Sequence, residues 1–429
     1  MKQLIVLLLL VVNIEAETFM FRTPSTTNND DSCDISVAPA ATLLLPYFEV
    51  DIFGRQSTAR TTTFSVINTS RFSRVARVTL WTDLARPVLN FNLFLTPYDV
   101  QSINLYDVLA RGVIAPPSGY SPADCQTGVD RLSTAVMNEV RTALTTGRIP
   151  GCGSSAVGLT HSNAIGFVTI DLVNACGTTF PTDPAYYDEL LFDNVLTGDY
   201  EWINPNPTTG NYASANPLVH IRAIPEGGPA GASALVALPY TFYDRYTPRA
   251  TPKMDRRQPL PTAFAARFIQ GGTGAFNTEL RIWREGVTGG SVACSAYQRN
   301  GLTGTEMTVP DVVRFDEHEN PTTHAPPIRV GTPQIITVVL PAASSVATSS
   351  SIFPPLASSG DVGGWIYLNL NNKGSSAYSV PRHSQNWTVV SMYAEGRFSW
   401  AGDAPWLANG CSPPPVAVTS EKTPIGPRP

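Results

Sequence analysis

Val78-Thr79-Leu80-Trp81-Thr82-Asp83 has a second version far along the chain, Leu280-Arg281-Ile282-Trp283-Arg284-Glu285. Further echoes surround each of them in the same order. Leu44-Leu45-Pro46-Tyr47-Phe48 is answered by Ala237-Leu238-Pro239-Tyr240-Thr241-Phe242, and Thr63-Phe64-Ser65-Val66 by Ala263-Phe264-Ala265-Ala266. Gly166-Phe167-Val168-Thr169-Ile170-Asp171-Leu172 is answered by Gly364-Trp365-Ile366-Tyr367-Leu368-Asn369-Leu370. The echoed residues are short β-branched and aromatic runs, and several alternate apolar with polar, the period that turns one face of a strand inward. In Val75 to Trp81 that alternation sends Ala76, Val78 and Leu80 to a core and Arg77 and Thr79 to solvent; Phe91, Leu93 and Leu95 repeat it. Further strands are expected at 166–173, 218–223, 264–270, 334–340, 364–370 and 387–393. Pro46 and Pro239 offer no ladder donor, so their strands should lie at a sheet edge or carry a bulge. The pattern predicts an all-β protein of two related immunoglobulin-like β-sandwich domains, residues 38–226 and 232–411, with a helical insertion at about 121–152 in the first. The boundary is the Pro- and Gly-punctuated run Pro225 to Gly231. The helix is expected at Val129 to Thr145, with Leu132, Val136, Val140 and Leu144 on one face and Gly147 as its stop.

Met1-Lys2, the apolar run Leu4 to Val12 and Ile14-Glu15-Ala16 read as a signal peptide over residues 1–16. That apolar run is about half of the roughly 20 residues a membrane helix needs, and no second span follows. Residues 17–37 read as a flexible leader and the Pro-rich 412–429 as a flexible tail. The expected address is outside the cytoplasm: periplasm, cell surface or medium. The six cysteines, Cys33, Cys125, Cys152, Cys176, Cys294 and Cys411, show no CxxC spacing and are read as disulfide candidates. The duplication places four in the first domain and pairs Cys294 with Cys411 in the second, with Cys125–Cys152 as the local choice. Formal net charge is -5, unchanged once Lys2 and Glu15 leave with the signal peptide. Nucleic-acid binders carry a dense basic stripe, and the densest basic stretch here, Arg71, Arg74 and Arg77, reads as an exposed strand face and turn. A nucleic-acid partner is therefore not expected.

No GxSxG, P-loop, GxGxxG or EF-hand pattern occurs, and no residue is assigned a catalytic role. His318-Glu319-Asn320-Pro321-Thr322-Thr323-His324 is not a zinc-protease helix, because its histidines are wrongly spaced and Pro321 breaks the turn. Asp316, Glu317 and Glu319 are the densest set of hard oxygen ligands, a candidate calcium site weighed against a solvated acidic turn. Asp183, Tyr186, Tyr187, Asp188, Glu189, Tyr200 and Trp202 combine carboxylates with aromatic rings, which could form a sugar platform or an acid/base pair, weighed against a structural loop. His220, in the strand-like run Leu218 to Ile221, reads as a structural histidine, and Asn68-Thr69-Ser70 and Asn386-Trp387-Thr388 match the glycosylation sequon.

Leu43 to Asp51 (LLLPYFEVD), Thr79 to Asp83 (TLWTD), Tyr98 to Leu105, Val195 to Tyr200, Thr262 to Phe268 (TAFAARF), Ser384 to Trp387 (SQNW) and Ala394 to Ser399 (AEGRFS) together resemble a family of exported bacterial proteins with no assigned activity. The resemblance spans nearly the whole mature chain and implies export and a bacterial source, with no functional residue to carry over. The expected function is a non-enzymatic surface, matrix or binding role toward an extracellular glycan or cell-envelope component. The alternative is a hydrolase or lyase acting on an extracellular polymer. Self-association through exposed LeuPro edge strands is a third expectation. Thiol titration of the denatured, unreduced protein should find no reactive cysteine, whereas several would overturn the disulfide framework.

Overall fold

The computed structural model describes residues 37–114, 125, 131–149, 158–183, 185–205, 212–223, 257, 260–272, 275–284, 308–309, 311–323, 336–356, 362–370, 385–394 and 398–409. The signal segment, the expected boundary at 225–231, Pro239 and its strand, the tail, and Cys33, Cys152, Cys294 and Cys411 lie outside these residues.

The first half is built from β1 (Thr42–Val50), β2 (Thr61–Asn68), β3 (Arg74–Thr82), β4 (Pro87–Leu95) and β5 (Val100–Asn104), then β6 (Ala164–Val173). It continues with β7 (Leu196–Thr197), β8 (Asp199–Asn204), β9 (Tyr212–Pro217) and β10 (Val219–Ile221). The second half contributes β11 (Pro261–Ile269), β12 (Asn277–Arg284), β13 (Thr308–Val309), β14 (Asp311–Asp316), β15 (Pro321–Thr322) and β16 (Ile336–Val339). β17 (Ala343–Ala347), β18 (Gly363–Asn369), β19 (Asn386–Ala394), β20 (Phe398–Asp403) and β21 (Trp406–Asn409) complete it. All pairings between these strands are antiparallel.

Sheets β10-β1-β6-β3-β4 and β5-β2-β8-β9 enclose a common core that includes Leu44, Val78 and Ile170 from one and Phe64 and Tyr200 from the other. In the second half β17-β12-β19-β20 and β15-β14-β18-β11-β21 likewise share Leu280, Val390, Phe264 and Leu368. The halves follow one pairing scheme: β3 lies between β4 and β6 as β12 lies between β17 and β19, and β2 lies between β5 and β8 as β11 lies between β18 and β21. The Thr-Leu-Trp and Ala-Phe echoes therefore fall on strands with matching neighbours. The Gly-aromatic echo does not, because β6 pairs with the tryptophan strand β3 whereas β18 pairs with β11. Its two glycines answer separate close approaches: a Cβ on Gly166 would stand 1.9 Å from the Trp81 carbonyl oxygen, and one on Gly364 1.9 Å from that of Phe315.

Pro46 lies in a bulge of β1, between Leu45 and Phe48, rather than at an edge, since β1 pairs with both β10 and β6. β10 covers only Thr42 to Leu44 of that strand, while β6 pairs with it on both sides of the bulge. Helix α1 (Thr134–Thr146) starts later than the pattern suggested, where Ser133 caps the Val136 amide, and stops at Gly147 in the left-handed region. Val140 and Leu144 are buried, but Val136 is exposed and Leu132 packs ahead of the helix. Cys125 pairs with Cys176, not Cys152 as the local choice had it, across Cα atoms 5.2 Å apart. The segment after β6 carries Cys176 back over the sheet: its Gly177, Thr178 and Thr179 carbonyls accept hydrogen bonds from Asn92 and Asn90 of β4.

The halves meet through aromatic rings. Trp81 stacks on its cross-strand neighbour Phe167 (5.4 Å, 7°), and Phe167 meets Trp283 edge-on (5.9 Å, 75°). Trp283 in turn stands opposite Trp387 in the second half. One hydrophobic cluster thus runs from β1, β3 and β6 to Trp283, Ala342, Ala343, Trp387 and Val389, and the Ala343 amide donates to the Asp83 carbonyl across the seam. Trp283→Ala should lower stability by about 3–5 kcal/mol in a urea titration, with both halves unfolding in a single transition. Two separate transitions, of which only the later-sequence half responds, would refute the shared core.

Candidate functional site

The acidic and aromatic stretch at 183–202 is split between two buried environments. Tyr186 opens the short helix α2 (Tyr186–Glu189), and its hydroxyl donates to Asp171 Oδ2 at 2.7 Å. Asp171 Oδ1 accepts from Thr42 Oγ1 at 2.6 Å and Arg257 Nη1 at 2.8 Å, and the four side chains have essentially no solvent contact. Arg77, expected outside, is also fully buried. Its guanidinium lies 5.5 Å from the Tyr186 ring centroid, pairs with Glu189, and donates to Asn92 Oδ1 and the Ala175 carbonyl, both at 3.1 Å. The polar face of β3 is dry because the 174–190 segment and α2 lie across it. Burial, then the charge and hydrogen bond of Asp171, push the Tyr186 phenol well above its usual range. Asp183 and Asp188 stay exposed, and the Tyr187 side chain lies outside the described residues.

Tyr200 and Trp202 belong instead to the seam. Trp202 Nε1 donates to the Tyr47 carbonyl at 2.9 Å, and its ring meets Tyr200 edge-on at 5.0 Å. Arg281 of the second half lies 4.1 Å from the Trp202 ring centroid and 5.8 Å from that of Tyr47, a cation-π contact on each. Glu279 Oε2, 3.4 Å from Arg281 Nη2, anchors the far end. Arg281 Nε and Nη1 and the Tyr200 hydroxyl are buried without an acceptor or donor partner among the described residues. Beside them Tyr47, Glu49, Arg60, Trp202, Asn204 and Arg281 line a cleft of about 10 Å³, one water's worth of space and far below a sugar ring. Asp403 acts on Tyr200 from the second half; burial raises its carboxyl to about 6, opposed by a hydrogen bond from Trp387 Nε1 at 2.9 Å.

The acidic turn is self-contained. Asp316 Oδ1 accepts from the His318 and Asn320 amides at 2.8 Å, and Oδ2 from the Asn320 side chain at 2.7 Å, which holds its carboxyl below the usual value. Glu317 turns to Arg267 at 3.1 Å, and Glu319 takes a left-handed φ of 62°. Among the described residues no group of three or more His, Cys, Asp or Glu side chains converges to hold a metal ion. His220 is buried and bonded to Thr197 Oγ1 at 2.9 Å, in the structural role the sequence suggested. Neither sequon offers an asparagine: Asn68 and Asn386 are fully buried, and the Asn68 amide donates to the Phe72 and Thr96 carbonyls.

Sequence reasoning placed Arg77 in solvent and passed over Asp171, Arg257, Arg281 and Asp403, and the pair Asp83 Oδ2 with His161 Nε2 at 2.9 Å. One signal was present. Arg77 and Asp171 are charges in the middle of apolar strands, directly opposite each other in register. The described residues include no helix long and apolar enough to cross a membrane. No family model matches the chain, and no curated protein and no solved structure matches it.

Buried His220 and half-buried Asp403 give opposing pH dependence. The His220 imidazole, lowered by burial from 6.5 to about 4, binds fewer protons folded than unfolded between those values, so its contribution to stability rises with pH there. Asp403, raised from 3.8 to about 6, binds more protons folded than unfolded, so its contribution falls as pH rises through that window. Asp403→Asn should therefore steepen the gain in melting temperature between pH 4 and 6, and His220→Gln should flatten or reverse it. Identical profiles for both variants and the parent protein would refute the assignment.

Proposed function

We propose that the protein is an exported, non-enzymatic β-sandwich with a surface or matrix binding role, its halves being two related immunoglobulin-like modules. The observation that carries this reading is how its reactive side chains are used. Asp171, Tyr186, Arg77 and Glu189 are paired with one another inside the first half, and Tyr200, Trp202 and Arg281 fasten the halves together. Groups so committed rigidify a scaffold. The likeness of the Leu43 to Asp51 and Ala394 to Ser399 segments to exported bacterial proteins, and the disulfide between Cys125 and Cys176, support the location. The expected partner is an extracellular glycan or another cell-envelope component.

Under the alternative of a polymer-degrading enzyme, the residue to test is Asp403, whose carboxyl burial raises to about 6 while Trp387 Nε1 donates to it at 2.9 Å. Both readings are tested by incubating the mature protein with insoluble polysaccharides and cell envelopes, following protein loss from solution and soluble product. Loss without product is the expected result. Released sugar or peptide that disappears in Asp403→Asn would replace the binding role with catalysis.

A further inference from the structure

The tip formed by the β2–β3 and β4–β5 turns gathers three exposed apolar side chains, two of them aromatic. Phe72 is 54% exposed, Tyr98 68% and Val100 55%. Tyr98 holds a φ of 58°, a left-handed conformation that a bulky side chain rarely adopts and that strains the backbone. The strain is imposed by a rigid scaffold. Fully buried Asn68 donates through Nδ2 to the Phe72 carbonyl at 2.7 Å and the Thr96 carbonyl at 2.9 Å, and its Oδ1 accepts from the Ser70 amide at 3.0 Å. Its own amide donates to the Asp99 carbonyl, the Tyr98 amide donates to the Ser70 carbonyl at 3.2 Å, and Asp99 caps Thr96. Both turns are thus tied to one buried residue, with two aromatic side chains left facing water.

The charges are placed with equal definition. Arg71 and Arg74 lie 4.9 and 5.7 Å from the Phe72 ring centroid. Arg74 pairs with Asp193 at 3.2 Å, whereas Arg71 has no carboxylate partner among the described residues. A fixed, unneutralised guanidinium stands here on a chain of net charge -5. Phe72 has its ring engaged by the two cations, but Tyr98 makes no ring contact among the described residues, so its face is open. An open aromatic face suits the C–H face of a sugar, and a cation beside it suits an acidic substituent. Phe72 and Tyr98 sit on exposed turns and line no described cavity, so they suit a polymer lying across them better than a small molecule that needs enclosure.

We propose that this tip, Phe72 and Tyr98 with Arg71, is where the protein grips an acidic polysaccharide: Tyr98 stacks on a sugar ring and Arg71 meets its carboxylate or phosphate. This rests on the binding role proposed above and names its surface and ligand class. Rigid presentation of the rings reduces the ordering cost of binding, which gives the strain at Tyr98 a purpose.

The test measures depletion and affinity electrophoresis on polygalacturonate and on a neutral glucan, using the mature protein, Tyr98→Gly, Tyr98→Ala and Arg71→Gln. Glycine accepts the left-handed conformation, so Tyr98→Gly should melt no lower than the parent protein while binding polygalacturonate about tenfold more weakly. Arg71→Gln should weaken binding several-fold and reduce its salt sensitivity. Full affinity in both Tyr98 variants would overturn the tip while leaving the binding role standing. Equal binding of the neutral glucan with Arg71→Gln silent would overturn the acidic class. A parent protein that binds neither polysaccharides nor envelopes would remove the binding role itself, and this inference with it.

Discussion

The contact between Phe167 and Trp283 is the constraint on which the rest of the structure depends. Each half pairs two aromatic residues at the matching place in its scheme, Trp81 with Phe167 on β3 and β6, and Trp283 with Trp387 on β12 and β19. Joining the pairs edge to face buries four large rings in one cluster, the kind of contact that contributes through area first and ring geometry second. With this seam closed, β1 and β8 meet the second half at fixed positions, and Arg281 reaches between Tyr47 and Trp202. The seam explains why residues that look reactive in the sequence are enclosed.

Burial on both faces of β3 separates what could be read from the sequence from what could not. The all-β character was legible in the alternation of Ala76, Val78 and Leu80, all buried as expected. The outward assignment of Arg77 and Thr79 failed because a period of two identifies faces without saying whether both are covered. Here the chain after β6 returns across the sheet, bringing Cys176 to Cys125 and Glu189 to Arg77. No local spacing announces such a return, and for the same reason Cys152, nearer in sequence, was the wrong partner to choose.

The candidate residues show the same division. Tyr186 and Tyr200 are near neighbours in sequence, yet they lie in different parts of the core, one bonded to Asp171 and the other packed edge-on against Trp202. A cluster on paper needs one loop to hold it together, and β7 and β8 intervene to draw this one apart. The exposed aromatic residues of the tip, Phe72 and Tyr98, carry no distinctive sequence motif. What distinguishes Tyr98 is a backbone angle, which composition and spacing do not report.

Arg257 gives the molecule an order of assembly. It follows all ten strands of the first half in sequence, yet its guanidinium completes the buried set around Asp171, Thr42 and Tyr186. A chain that emerges N-terminus first must therefore hold the carboxylate of Asp171 in an unfinished core until residue 257 arrives. A cut before residue 257 would part this cation from Asp171, leaving the carboxylate the hydroxyls of Thr42 and Tyr186. The buried polar set of the first half is complete only with a residue from beyond its last strand.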